Sequence, residues 1–157
     1  MLLPYFLSHH ALQLYLKHIL DLYKGRKQHI AVDTLGLLLA VVVHAGHISD
    51  SRGARLVLIR LWRIFPNIKK IWVDGGYKKG CLAWAMAMLG YTLEVVKRLG
   101  DGFNILHKRW IVERTFAWLN CYRRLAKDYE HNPKSSEANI KIAMIHLMLK
   151  RIKYNHP

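Results

Sequence analysis

The chain has 157 residues, 52% of them apolar, and its 25 Lys and Arg against ten Asp and Glu give a net charge of +15. That length supports one hydrophobic core and excludes two. The charge argues for a polyanionic partner, with nucleic acid ahead of an anionic membrane surface or simple solubility; two cysteines, Cys81 and Cys121, without pairing or zinc spacing argue against a disulfide scaffold and suit a reducing cytosol.

The opening "MLLPYFLSHHALQLYLKHILDLY" is apolar. It has neither a basic leader nor a small-residue cleavage site, so it reads poorly as a signal peptide. Pro4, His9, His10, Lys17, His18 and Asp21 interrupt it, so no membrane span is expected. Residues 11–23 are compatible with an amphipathic helix. Residues 1–23 carry no functional assignment, and residues 24–153 form the expected domain.

After the basic cluster at residues 24–27, "HIAV" and "LLLAVVV" are short aliphatic, β-branched runs separated by "DTLG". They predict an antiparallel hairpin. In "SDSRGARLVLIRLWRIF" the apolar residues recur at helical spacing, with Ser49 or Asp50 as the N-cap. "NIKKIWVDGGY" predicts a strand that ends at Asp74 before two glycines. "CLAWAMAML" predicts a helix closed by Gly90. "TLEVVKR" reads as a strand and "LGDGFN" as a loop. A basic helix is expected from Lys108 to Tyr129, and a last one capped by Ser135 or Ser136. This order is that of an α/β domain, a mixed sheet covered by helices.

Few groups offer chemistry. There is no HExxH, phosphate-binding glycine loop or GxSxG. His44 and His47 in "HAGH" read as polar loop residues more readily than as a metal pair. Asp74 at a strand end is either a turn-forming residue or a functional acid held by a rigid strand. Glu113 lies in "RWIVERTFAWL". At roughly 100° per residue, Arg109, Glu113, Asn120 and Arg124 share one helix face, with Trp118, Leu119, Tyr122 and Leu125 opposite. That face is either a solvated stripe or a carboxylate set among arginines. Two carboxylates can hold a hard divalent cation, Mg²⁺ or Mn²⁺, and two such ions promote in-line attack at phosphorus. Two ions require a third acid. The aromatic residues fall mostly on core faces, which fits base stacking poorly and leaves an unrelated RNA-binding protein as the weakest reading.

Several stretches together, "KGRKQHIAVDTLGLLLAVVVHAGHISDSRGA", "IKKIWVDGGY", "KRWIVERTFAWLN", "RRLAKDYE" and "SSEANIKIAMIHLMLKRI", closely resemble the C-terminal half of bacterial insertion-sequence transposases of the DDE type. The resemblance runs from about Lys24 to Ile152. It implies an RNase H-like catalytic core, a triad of two aspartates and a glutamate, two bound Mg²⁺ or Mn²⁺ ions, transposon-end DNA as substrate and a cytoplasmic location. By matching motifs Asp74 is the second acid and Glu113 the third. Arg109 stands near substrate phosphate, with Lys108, Arg114, Arg123 and Arg124 as further DNA contacts. The first acid, carried by the family on its opening strand in a "DSQS"-like motif, has no counterpart. The expectation is therefore a partial domain lacking its first strand, with an open sheet edge and little catalysis. Asp33 and Asp50, the local alternatives, suit a hairpin turn and a helix cap instead. Cys121 stands where relatives carry Arg. The alternative function is a DNA-binding or dimerising module, pairing with itself or with an intact transposase.

Overall fold

The computed structural model describes residues 13–21, 25–74, 77, 79–96 and 107–154, with the backbone alone for 13–21, 107–109 and 154. The aliphatic runs on either side of "DTLG" form the expected hairpin, β2 (Arg26–Val32) and β3 (Leu38–Ala45), paired antiparallel with one irregularity at Ala31/Val32. Asp33 closes the turn. Its Oδ1 accepts from the Leu35 and Leu37 amides at 2.9 and 2.8 Å, a local bond that gives an aspartate its turn preference. Gly36 adopts φ +80°, where a Cβ would lie 2.7 Å from the Thr115 hydroxyl, so the turn needs glycine both for conformation and for space.

Among the described residues the sheet has five strands in the order β3-β2-β1-β4-β5. β1 (Gln13–Asp21) runs antiparallel to β2 and parallel to β4 (Lys70–Val73), and β4 is parallel to β5 (Thr92–Val95). This corrects two expectations. Residues 13–21 are a central strand rather than part of a helix, and the sheet does not lack its first strand or expose an edge there. The physical reason is the ladder: β2 and β4 each present a row of backbone donors and acceptors, and an extended segment between them satisfies both rows. Helix propensity is too weak to compete with that.

Strand alternation sorts the side chains into two cores. Ala31, Ala40, Val42, Ile71, Val73 and Leu93 face one side, against α1 (Asp50–Ile64) and α2 (Lys79–Leu89). Ile30, Val32, Val41, Val43 and Trp72 face the other, against Val112, Phe116 and Leu119 of α3 (His107–Asn120) and Ile140, Ala143 and Met144 of α5 (Pro133–Tyr154). The result is a mixed sheet between two helical layers, as the element order implies.

Polar residues fasten the layers. Glu137 of α5 reaches the edge strand β3, accepting from the Val43 amide at 3.1 Å and from Arg60 of α1 at 2.6 Å, while Arg60 also donates to the Val41 carbonyl. Edge-strand groups are thus met by side chains of both layers, which blunts the edge. At the start of β2, buried Arg26 donates to Asp128 at 2.8 Å, to the Ser136 hydroxyl at 2.9 Å and to the His131 carbonyl at 2.8 Å.

These contacts explain two further corrections. The basic helix stops at Asn120, and a short α4 (Arg123–Ala126) follows after Tyr122, whose backbone is extended. A continuous helix to Tyr129 would lose the non-helical approach by which Asp128 meets Arg26. The last helix is capped by Asn132, not by Ser135 or Ser136: the Asn132 Oδ1 accepts from the Lys134 amide at 2.9 Å, and Pro133 occupies the first helical position. Ser136 is instead buried, donating to Asp128. For α1 the cap is Ser49, with Asp50 in the first turn and ion-paired to Lys27 at 2.8 Å.

Candidate nucleic-acid site

Asp74 follows the last residue of β4 directly and is half-buried. Its carbonyl accepts from the Tyr77 amide at 3.3 Å. Tyr77 is buried, and its hydroxyl lies 3.3 Å from His29 Nδ1. Burial pushes the Tyr77 phenol well above its usual range, and the charges of Asp50 and Asp74 add to that. Tyr77 therefore stays neutral, and its amide ties it to the end of β4 at Asp74.

Next to Tyr77, His29 stacks on His44, two buried rings with centroids 4.8 Å apart. Gly53 of α1 packs on both, and a Cβ there would come within 2.2 Å of each Nε2. His44 is a buried core residue, and His47 is exposed in the following turn.

Glu113 is exposed on α3. Its neighbour Val112 packs in the same cluster as Trp72, two residues before Asp74. One core thus holds the helix bearing Glu113 and the strand bearing Asp74. Lys108 and Arg109 lie in the first turn of α3, and their side chains fall outside the described residues. Arg123 and Arg124 are exposed on α4, and Arg124 pairs with Glu130 at 3.1 Å. Cys121 is exposed after α3, with its thiol toward the Ala117 carbonyl at 3.4 Å.

Arg114 takes a place that helix arithmetic does not reveal. Its guanidinium lies 4.4 Å from the centre of the Trp110 ring and 4.8 Å from that of Trp118, and Arg151 of α5 stacks on Trp118 at 4.1 Å. It also donates to the Leu35 carbonyl at 3.0 Å. Burial and the nearby Arg151 charge lower its pKa, and Asp33 partly offsets them. Trp118 therefore belongs to an outer cation–aromatic ladder rather than to the sheet-facing side. The spacing of Trp110, Arg114 and Trp118, four residues apart on one helix, was the available signal.

Among the described residues the donor set falls short of a two-ion centre. No group of three or more His, Cys, Asp or Glu capable of holding a metal is assembled among the described residues. Asp33 is spent on its turn and Asp50 on Lys27. On β1, whose Leu16 pairs with Val73 of β4, the next residue is Lys17, just as Asp74 follows Val73. Among the described residues, no helix is long and apolar enough to cross a membrane.

Comparisons with known proteins agree on fold and family. The catalytic core domain of bovine immunodeficiency virus (BIV) integrase superposes with a TM-score of 0.59 at 16% identity, covering 93% of this chain and 100% of that one. A chain of the simian T-cell lymphotropic virus intasome, solved in complex with a PP2A regulatory subunit, gives 0.57 at 17% identity over 85% of this chain and 47% of that one. The fold is RNase H-like. A putative transposase for insertion sequence element IS402 from Burkholderia cepacia is 29% identical over 126 residues, 75% of this chain. The chain spans 60% of that relative's length. The Transposase DDE domain family matches residues 20–148, from the end of β1 into α5. Because that match spans most of the chain, the chain belongs to the Transposase DDE domain family.

Proposed function

We propose that this transposase catalytic-type domain grips DNA through its phosphates and cleaves it poorly. Asp74 and Glu113 are the acids that would bind Mg²⁺ or Mn²⁺ for cleavage and strand transfer at insertion-sequence ends. Lys108, Arg109, Arg123 and Arg124 receive the backbone, and Arg114 completes the basic surface of α3. One observation carries the reading: in the parallel β1–β4 ladder, Lys17 occupies the position level with Asp74. A lysine at that position supplies no carboxylate ligand, so metal binding is weakened. A domain that holds DNA without cutting it would also compete with, or pair with, an active transposase.

The net charge of +15 supports the binding half of the proposal. A cationic protein releases counterions from DNA, so its affinity falls steeply as salt rises. The test compares wild type with Glu113→Ala on labelled duplex in Mn²⁺. Both proteins should bind with salt-sensitive affinity and neither should nick. Affinity that does not respond to salt would remove the DNA assignment. Nicking by wild type that Glu113→Ala abolishes would show a competent site and contradict the role given to Lys17.

A further inference from the structure

Trp110 is 46% exposed, although its indole is a large apolar surface. It is fixed by what lies behind it. Arg114 stacks on its ring, Trp118 stacks on Arg114, and Arg151 stacks on Trp118. The ladder is tied to the hairpin turn, because Arg114 donates to the Leu35 carbonyl at 3.0 Å and Thr115 to the Gly36 carbonyl at 2.8 Å. Gly36 sits against Thr115 and Trp118 so closely that no side chain fits there. The outer indole is thus presented on a rigid support, with positive charge behind it.

Such an arrangement matches one chemical class of ligand. A nucleobase offers a flat π-face to an indole, and its flanking phosphates are drawn by the guanidinium groups. A base inside a duplex hides its faces in the stack, so the partner must be unpaired. We propose that Trp110 is a stacking platform for an unpaired base of DNA beside Glu113, which lies three residues further along α3. This rests on the DNA-binding reading above and adds a preference to it: strand ends with unpaired nucleotides are favoured over intact duplex. Trp110 is a positioning residue, holding a base so that the attached backbone runs along the helix.

The test is fluorescence anisotropy at one fixed salt concentration, using a blunt duplex and the same duplex with a two-nucleotide unpaired 3′ overhang. Wild type, Trp110→Ala and Trp110→Phe are compared, with circular dichroism as the check on folding. Wild type should prefer the overhang by on the order of ten-fold, the scale of one base–aromatic stack. Trp110→Ala should lose that preference with blunt affinity unchanged, and Trp110→Phe should keep most of it. An overhang base replaced by 2-aminopurine should change emission on binding to wild type but not to Trp110→Ala.

Blunt binding without an overhang preference in wild type would overturn the platform and leave the DNA reading intact. So would a Trp110→Ala protein that keeps the preference, or one that only melts earlier at an unchanged overhang-to-blunt ratio. Binding to neither duplex would remove both.

Discussion

Asp128 shows how single side chains decide this fold. It is buried, and burial alone would raise its pKa. Hydrogen bonds from Ser136 and the Glu130 amide and the charge of Arg26 outweigh burial and hold it below the ordinary carboxylate value. The sign of the pH dependence follows. With the folded pKa depressed, the ionised group stabilises the fold above the unfolded value of about 3.9, and that contribution disappears as pH falls through the folded value. Asp128→Asn should therefore flatten the acid limb of a stability–pH curve measured by denaturant unfolding. Asp128→Ala should cost about 3 kcal/mol at neutral pH, because it leaves Arg26 buried without its carboxylate. Gly53→Ala is the second residue-scale prediction. Its methyl group would meet two buried imidazoles at once, and the loss should be about 1–3 kcal/mol in the same assay. The sequence shows that Asp33 suits a turn, because that bond is local. It hides Arg26–Asp128, whose partners are 102 positions apart.

At the scale of elements, legibility follows the source of the stabilising interactions. The β2–β3 hairpin, α1, the β4 strand end and α2 are written in local periodicity and turn chemistry, and they form as expected. β1 is not, because it is held on one side by its neighbour β2 but on the other by β4, an element far along the chain. The break between α3 and α4 is equally remote in origin. The candidate site divides the same way. Asp74 and Glu113 are marked by their motifs, whereas the Trp110–Arg114–Trp118–Arg151 ladder needs α5 and the hairpin turn to assemble. Glu137 provides the element-scale prediction. Glu137→Ala leaves the Val43 amide of an edge strand without its carboxylate acceptor. The cost should be about 1–3 kcal/mol by chemical denaturation. Size-exclusion chromatography should show more self-association through the uncovered edge.

For the whole molecule, the sheet supplies an RNase H-like frame, and the net charge of +15 is what the proposed affinity for a polyphosphate rests on. The position at issue is where β1 runs level with the end of β4: the chain has Lys17 there, and the proposed lack of cleavage rests on it. Lys17→Asp, shown by circular dichroism to be folded, tests this directly in a Mn²⁺-dependent nicking assay. The variant should gain nicking that wild type lacks, and adding Glu113→Ala should abolish the gain. A folded Lys17→Asp protein that binds duplex yet nicks no more than wild type would contradict the account.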